Sequence, residues 1–364
     1  MSDKMQTVSP SDPLEAAILT KLAAGFTYDQ IAVEHKISRG KVWSVAVRYG
    51  ARKREALIQE RARDRKLRQT EFLREVINAT EKADVLDFLA GIPDESTQLF
   101  LTSIPYNIGK SYGGSHGSDR QRFHYSLGWM LQVLSEMDRS LKPGGVIFLQ
   151  AGSTKDDSGN LYPLDCLFFE HLRGMGLMFQ SRVIWHIKHG LTPKRRLSER
   201  HESALVFSKG LPAHFNPTPA RAPQKQPGKR AFKGKHIGKL SGSPLGAWPS
   251  NVWEISNIGN NHPERTGHPA QMPEKLAKRA VLLYTLPEDL VIDPFMGSGT
   301  VASVCKQTGR AFSGADLSYE DLRAKRLAKV VPDLACELPG VTDDSIAIWQ
   351  AEAKAVHVPL AIGN

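Results

Sequence analysis

Apolar residues along this chain follow two different periods. Leu14, Ala17, Ile18 and Leu22 recur at helical spacing, Gly25 breaks the run, and Thr27 stands where it can N-cap a second helix through Ile31 and Ala32. Ser38 then precedes a third helical stretch carrying Arg39, Lys41, Val42, Trp43, Val45 and Ala46. From Gln98 the pattern changes. Gln98 to Thr102 and Gly145 to Gln150 are short apolar runs suited to buried parallel strands, with a helical pattern from Tyr125 to Leu141 between them. Val183 to His186 and Ser203 to Phe207 predict further strands. A helix over Glu274 to Thr285, a strand Leu290 to Ile292, a helix Thr300 to Thr308, a strand Phe312 to Asp316 and a helix from Glu320 complete the alternation. The expected fold class is therefore α/β, preceded by a small α-helical N-terminal domain at 1–60 and a charged helical linker at 61–75.

Length adds that 364 residues accommodate one large domain and a small one. No apolar run approaches the roughly 20 residues that cross a bilayer, and Met1 to Thr20 lacks an apolar secretory core, so the expected compartment is the cytoplasm with no membrane partner. Cys166, Cys305 and Cys336 form no CxxC pair, which argues against a disulfide framework and a thiolate zinc site; no metal is expected.

Charge changes the picture more. The net charge is +10, yet the window Ser181 to Leu240 holds fourteen Lys or Arg against Glu199 and Glu202, so the remainder is slightly acidic. A positive field concentrated in this way fits a phosphate backbone. Pro212 to Pro249, within and beyond that window, is rich in Pro, Gly and Lys without a period, and reads as irregular structure.

Two segments carry candidate chemistry, each at the carboxyl end of a predicted strand. Asp293-Pro294-Phe295-Met296-Gly297-Ser298-Gly299-Thr300 opens a helix, where backbone amides approach a ligand closely, and Asp316 ends the next strand, where a carboxylate can accept from ribose hydroxyls. No GxxxxGK[ST] sequence accompanies it, so a triphosphate site has no support. The second segment is Thr102-Ser103-Ile104-Pro105-Tyr106-Asn107.

The order Ser103-Ile104-Pro105-Tyr106, then the Asp293 to Thr300 block, resembles the β class of DNA amino-methyltransferases, whose [DNS]PP[YFW] motif precedes the cofactor motif. Leu141 to Gly145, Trp185 to Lys188, Glu202 to Phe207 and His268 to Pro273 resemble that family's intermediate blocks in the same order. The resemblance implies a Rossmann-like S-adenosylmethionine-dependent methyltransferase sheet with permuted motif order. It divides the chain into a catalytic half at 76–210, a basic target-recognition segment at 211–265, a cofactor half at 266–335 and a tail at 336–364. It also implies roles. The Ser103 side chain and the Ile104 carbonyl accept amino protons of a swung-out base, Pro105 fixes the turn and Tyr106 stacks on the base. Asp293, Phe295, Gly297, Gly299 and Thr300 line S-adenosylmethionine, Asp316 bonds its ribose, His268 and Pro269 meet its methionine end, and Asp84 bonds its adenine. Lys142 to Gly145 is expected as a turn.

These residue types suit the chemistry. An exocyclic amine is a weak nucleophile because its lone pair is delocalised into the ring, so hydrogen-bond acceptors must polarise the NH2 group while binding holds the reactants in line. Cytosine C5 transfer would need a thiolate, typically in a Pro-Cys pair; Asp165, Val304 and Ala335 precede the three cysteines. Ile104 stands in place of the motif's usual first proline and Ser103 in place of the commoner Asp. Serine leans toward cytosine N4, adenine N6 enzymes are more numerous, and both bases stay open.

Double-stranded DNA is the expected partner. Lys188, Lys194, Arg195, Arg196, Arg200, Lys225, Lys229, Arg230 and Lys233 are the candidate contacts in the catalytic unit, with Arg39 and Lys41 in an N-terminal region that resembles a helix-turn-helix. Pairing is common in the family, which makes a homodimer an option, and a partner restriction nuclease is left open. Two other readings stand beside this one: an RNA methyltransferase, and a DNA-binding regulator with a degenerate methyltransferase body.

Overall fold

The computed structural model describes residues 12–23, 28–38, 40–42, 44–45, 70–112, 118–187, 193–222, 224, 226, 228–239, 241 and 246–333. The chain divides into two compact units, Met1–Arg68 and Gln69–Asn364.

In the small unit, helices α1 (Pro13–Ala23) and α2 (Tyr28–Glu34) are followed by helical residues at 40–42 and 44–45. Ile18, Ile31, Ala32, Val42 and Val45 form its core, as the apolar spacing requires. Ser38 caps the third stretch: its Oγ accepts from the Lys41 amide at 3.2 Å. Arg39, Trp43 and the charged segment from Arg52 to Arg68 lie outside the described residues.

The large unit is built on α3 (Val85–Gly91), β1 (Thr97–Ser103), α4 (Phe123–Ser140), β2 (Leu141–Ala151), β3 (Ser153–Lys155), β4 (Leu161–Pro163), α5 (Leu164–Gly174), β5 (Met178–His186), β6 (His201–Ser208), β7 (Val252–Glu254), α6 (Glu274–Tyr284), β8 (Leu290–Asp293), α7 (Thr300–Thr308), β9 (Ala311–Gly314) and α8 (Glu320–Ala328). Seven strands form one mixed sheet in the order β7-β5-β6-β2-β1-β8-β9, and β3 pairs with β4 apart from it. β2, β1, β8 and β9 run parallel, while β6 is antiparallel to both β2 and β5. The two segments singled out from sequence thus follow adjacent central strands, β1 and β8, far apart in sequence.

Side chains alternate between two faces. Leu99, Leu101, Val146 and Phe148 point into a core closed by α6 and α7, whereas Phe100, Ile147 and Leu149 point into one closed by α3, α4 and α5. Helix α4 presents Met130, Val133, Leu134 and Met137 to the second core, a 3.6-residue stripe.

One expectation is corrected. Lys142 to Gly145, read as a turn, belongs to β2: the ladder passes from Thr97–Leu141 to Leu99–Val146, so the segment is an irregular bulge within a strand rather than a connection. Gly144 sits at φ +77°, and a Cβ there would meet the Ala213 backbone nitrogen at 2.9 Å, which explains the glycine. The residues from Pro212 to Pro249 that are described are largely irregular, with two short 3₁₀ turns and one isolated bridge between Ala222 and Ala247.

Candidate active site

The carboxyl ends of β1 and β8 lie side by side and are fastened together. The Thr102 hydroxyl donates to Asp293 Oδ1 at 2.7 Å, and the Phe295 amide donates to the same oxygen at 3.1 Å. Burial pushes the Asp293 carboxyl up to about 7, against these two stabilising donors. The turn after β8 is held from the other side as well: Asp316 Oδ2 accepts from the Gly297 amide at 2.9 Å, and Oδ1 from the Ser318 amide at 2.9 Å. Asp316 itself lies two residues past the end of β9, half-buried. Beneath the turn, the fully buried Arg323 donates to the carbonyls of Gly297 and Ser318.

His268 closes this turn. Its Nδ1 accepts from the Ala270 amide at 3.2 Å, and its ring meets Tyr319 edge-on with centroids 4.7 Å apart. Burial lowers its pKa to about 4, so the ring is neutral at neutral pH. Gly297 lies at φ +49°, and a Cβ on it would come within 2.8 Å of His268 Nε2. The Tyr112 ring also packs on His268, with centroids 5.8 Å apart, and the Tyr112 carbonyl accepts from the Tyr319 hydroxyl. Thr300, at the start of α7, donates to the Met272 carbonyl at 3.1 Å, tying the helix to the His268 block. Pro269 follows His268 in that block.

Past the end of β1, the Ile104 amide donates to the Gln150 carbonyl at 3.3 Å, extending the β1–β2 ladder by one bond. Ile104 is 3% exposed and sits in the core under α4 and α5, so packing anchors the position where a proline would have fixed the backbone. Pro105 follows, half-buried and outside regular secondary structure. The Tyr106 hydroxyl donates to Glu202 Oε2 at 2.7 Å, and Gln150 Nε2 donates to the same oxygen at 2.7 Å. Ser103 also bonds the phenol, and burial with the neighbouring Glu202 raises its pKa well above the ordinary value. A Cβ at Gly152 would meet the Tyr106 ring at 2.6 Å; the glycine leaves that ring its place.

Gln150, Glu202, Tyr112 and Arg323 were not singled out from sequence as site residues. A polar side chain ending the apolar run of β2, and another heading the apolar run of β6, were the signals available. Asp84 is placed apart from the Asp293 turn in role: it N-caps α3, with Oδ1 accepting from the Leu86 amide at 2.8 Å.

The basic candidates fall into separate groups. Lys194, Arg195 and Arg196 are exposed and Arg200 half-buried on the connection between β5 and β6, which emerges at the same end of the sheet as Ser103 and Gln150. Arg196 pairs with Glu199 at 3.2 Å. Lys229, Arg230 and Lys233 are exposed on an excursion whose two arms meet at the Ala222–Ala247 bridge and lead into the amino end of β7. Lys41 is exposed in the small unit, while Arg39, Lys188 and Lys225 lie outside the described residues. No group of three or more metal-ligating side chains occurs among the described residues. No helix among them is long and apolar enough to cross a membrane.

Comparison with known proteins agrees with this layout. The N6_N4_Mtase family model, described as DNA methylase, matches residues 97–326. The chain is 40% identical over 249 residues to the Type II methyltransferase M.BglII of Bacillus subtilis, covering 68% of each protein. It is 31% identical over 239 residues to the Type II methyltransferase M.HpaI of Haemophilus parainfluenzae, covering 65% of this chain and 69% of that one. Its fold is similar to that of the solved PvuII DNA methyltransferase (cytosine-N4-specific), with a TM-score of 0.53 at 21% identity, over 68% of this chain and 85% of that one. The chain belongs to the N6/N4 family of DNA methylases, enzymes that methylate an exocyclic amino group in DNA.

Proposed function

We propose that this chain methylates the exocyclic amino group of adenine or cytosine in double-stranded DNA, acting on a base swung out of the duplex, with S-adenosylmethionine as methyl donor. The observation that carries the reading is the Thr102–Asp293 hydrogen bond, which sets the catalytic segment and the glycine-containing turn next to each other.

The residues present fit the cofactor. Asp316 already accepts two backbone amides, yet a carboxylate has about four lone-pair sites, which leaves acceptors for ribose hydroxyls. The Gly297 turn leads into the amino end of α7, a favourable place for a carboxylate-bearing ligand, and His268 is uncharged beside it. S-adenosylmethionine, when bound here, supplies an electrophilic methyl on sulfonium. In this reading Phe295, Gly297, Gly299 and Asp316 hold it, with His268 and Pro269 toward its methionine end and Asp84 toward its adenine.

The protein's own groups do the rest. Ser103 Oγ and the Ile104 carbonyl accept from the amino group and draw its lone pair out of conjugation. Tyr106 stacks on the base, offsetting part of the few kcal/mol that unstacking costs. Lys194, Arg195, Arg196 and Arg200 face the duplex backbone at the catalytic end, and Lys229, Arg230 and Lys233 extend the basic surface. The helical unit contacts DNA through the stretch capped by Ser38, and two copies of the chain pair on DNA.

Expression in a host without DNA methylation, followed by sequencing that detects modified bases, tests the reading and names the base. Methylated adenine or cytosine at a defined sequence is expected, and less of it in Tyr106→Ala. Unmodified DNA from cells containing folded protein, with RNA modified in its place or the cofactor unbound, would sink it.

A further inference from the structure

Ser103, Gln150 and Glu202 form a polar row across three adjacent strands. Ser103 is in ladder register with Gln150, and Gln150 is in register with Ala204, two residues from Glu202. Residues so related share one face of a sheet, here at the carboxyl ends of β1 and β2. Below them on that face Leu101, Phe148 and Val206 lie in the core.

Gln150 is 3% exposed, and its two amide ends are in different situations. Nε2 donates to Glu202 Oε2 at 2.7 Å, which fixes the amide's orientation, because its oxygen turned that way would face a carboxylate. Oε1 is buried and has no hydrogen-bond partner. Other buried side-chain atoms share that condition, Thr97 Oγ1 and Arg323 Nε among them, but Gln150 is the one in register with Ser103. A buried acceptor without a partner costs about 1–3 kcal/mol, and each such group calls for an explanation.

The chemistry of the substrate supplies one. On a swung-out adenine or cytosine the exocyclic NH2 is the only polar hydrogen donor; N1, N3 and N7 of adenine and N3 and O2 of cytosine are acceptors. An unfilled acceptor turned toward the base would therefore match one group, the one being methylated. On thymine or a deaminated adenine an oxo oxygen would stand there and meet Gln150 Oε1 acceptor to acceptor.

Building on the functional reading above, we propose that Gln150 Oε1 accepts a hydrogen bond from the exocyclic amino group of the swung-out base, sharing with Ser103 Oγ one of its two hydrogens while the Ile104 carbonyl takes the other. Gln150 is then a catalytic residue beside Ser103, and Glu202 is a positioning residue that fixes both its carboxamide and the Tyr106 hydroxyl. The arrangement selects amino over oxo bases at the methylated position. It also supplies a carbonyl-type acceptor in a motif whose first residue is serine.

The test uses full-length protein and duplexes containing its own methylation site. In one duplex the target base is intact; in the other it lacks the amino group, purine replacing adenine or pyrimidin-2-one replacing cytosine. Wild type is expected to bind the amino-bearing duplex on the order of tenfold more tightly. Gln150→Leu should erase most of that preference and lower kcat/KM on the order of 10- to 100-fold, with S-adenosylmethionine affinity unchanged. Gln150→Met, similar in length and without the carboxamide, is the second variant should leucine not fold. Glu202→Leu should reduce the preference, and Glu202→Gln, which keeps an acceptor for Nε2, should restore most of it. A Gln150 variant that retains the wild-type preference, or that loses cofactor affinity in parallel with it, overturns the proposal. If wild type methylates DNA while that happens, this inference alone falls; if wild type methylates no amino group, the functional reading falls with it.

Discussion

Thr102→Val removes one hydroxyl and leaves the strand otherwise intact, so it isolates the fastening between the two loops. The side chain is buried, and its Oγ1 donates to Asp293 Oδ1 at 2.7 Å. A hydrogen bond to a charged acceptor contributes about 1.5–3 kcal/mol and one to a neutral acceptor about 0.5–1.5 kcal/mol. The Asp293 carboxyl titrates near 7, raised from its ordinary value by burial, with Asp316 also raising it and Arg323 opposing. A carboxyl raised in the folded state contributes stability below its unfolded value, and that contribution is lost as pH rises through the folded value. Taking away a donor to the ionised form raises the folded value further, so the loss deepens above pH 7. The expected cost is about 1 kcal/mol at pH 5.5, where Asp293 is protonated, and about 2 kcal/mol at pH 8.5, where it is ionised. The difference of about 1 kcal/mol corresponds to a further rise of roughly 0.7 pH unit in Asp293. Urea midpoints of wild type and variant at the two pH values, followed by tryptophan fluorescence, measure both costs. A cost that is equal at the two pH values, or larger at pH 5.5, refutes the assignment of Thr102 as a donor to a titrating Asp293.

Tyr106→Ala should weaken methyl transfer by on the order of 10- to 100-fold while leaving cofactor affinity within a factor of two, as stacking energies of about 1–3 kcal/mol per base require; a transfer assay beside calorimetry separates the two. Asp316→Ala should do the reverse, raising the S-adenosylmethionine concentration needed for half-maximal rate by at least tenfold. Gly297→Ala puts a methyl within 2.8 Å of His268 Nε2 at φ +49°, so it should cost at least about 1 kcal/mol and lower cofactor affinity first, read by thermal shift with and without cofactor. His268 is held near 4 against an ordinary 6.5, so its contribution is present above 6.5 and lost as pH falls toward 4, about 3 kcal/mol in all; the slope of stability against pH over that window should flatten in His268→Gln.

What was legible from sequence is what short-range pattern determines. The helix at Thr300–Thr308 begins where the glycine-containing turn ends, the Ser38 cap follows from a hydroxyl before an apolar run, and the buried runs of β1, β2 and β8 fall where apolar residues cluster. Strand direction was a different matter, because a strand buried on both faces reads the same whether its neighbour is parallel or antiparallel; the reversal at β6 left no mark in its residues. The bulge at Lys142 to Gly145 shows the same limit from the other side: Pro and Gly mark a departure from regular backbone, and the two-residue advance on β1 against five on β2 decides whether it is a turn or a bulge.

Side-chain roles divide along the same line. Ser103 and Tyr106 were named through the motif they share with the family and Asp316 because it ends a recognisable strand, whereas Glu202 gains its role only because Tyr106, 96 positions earlier, reaches it across the sheet. Gln150 is more instructive still. Its place in an apolar run marks it as unusual, but a buried glutamine with both ends satisfied would be an ordinary structural residue. What distinguishes it is that one end is spent on Glu202 and the other is left open beside Ser103, and that follows from the neighbours of β2, which no local pattern in the chain specifies.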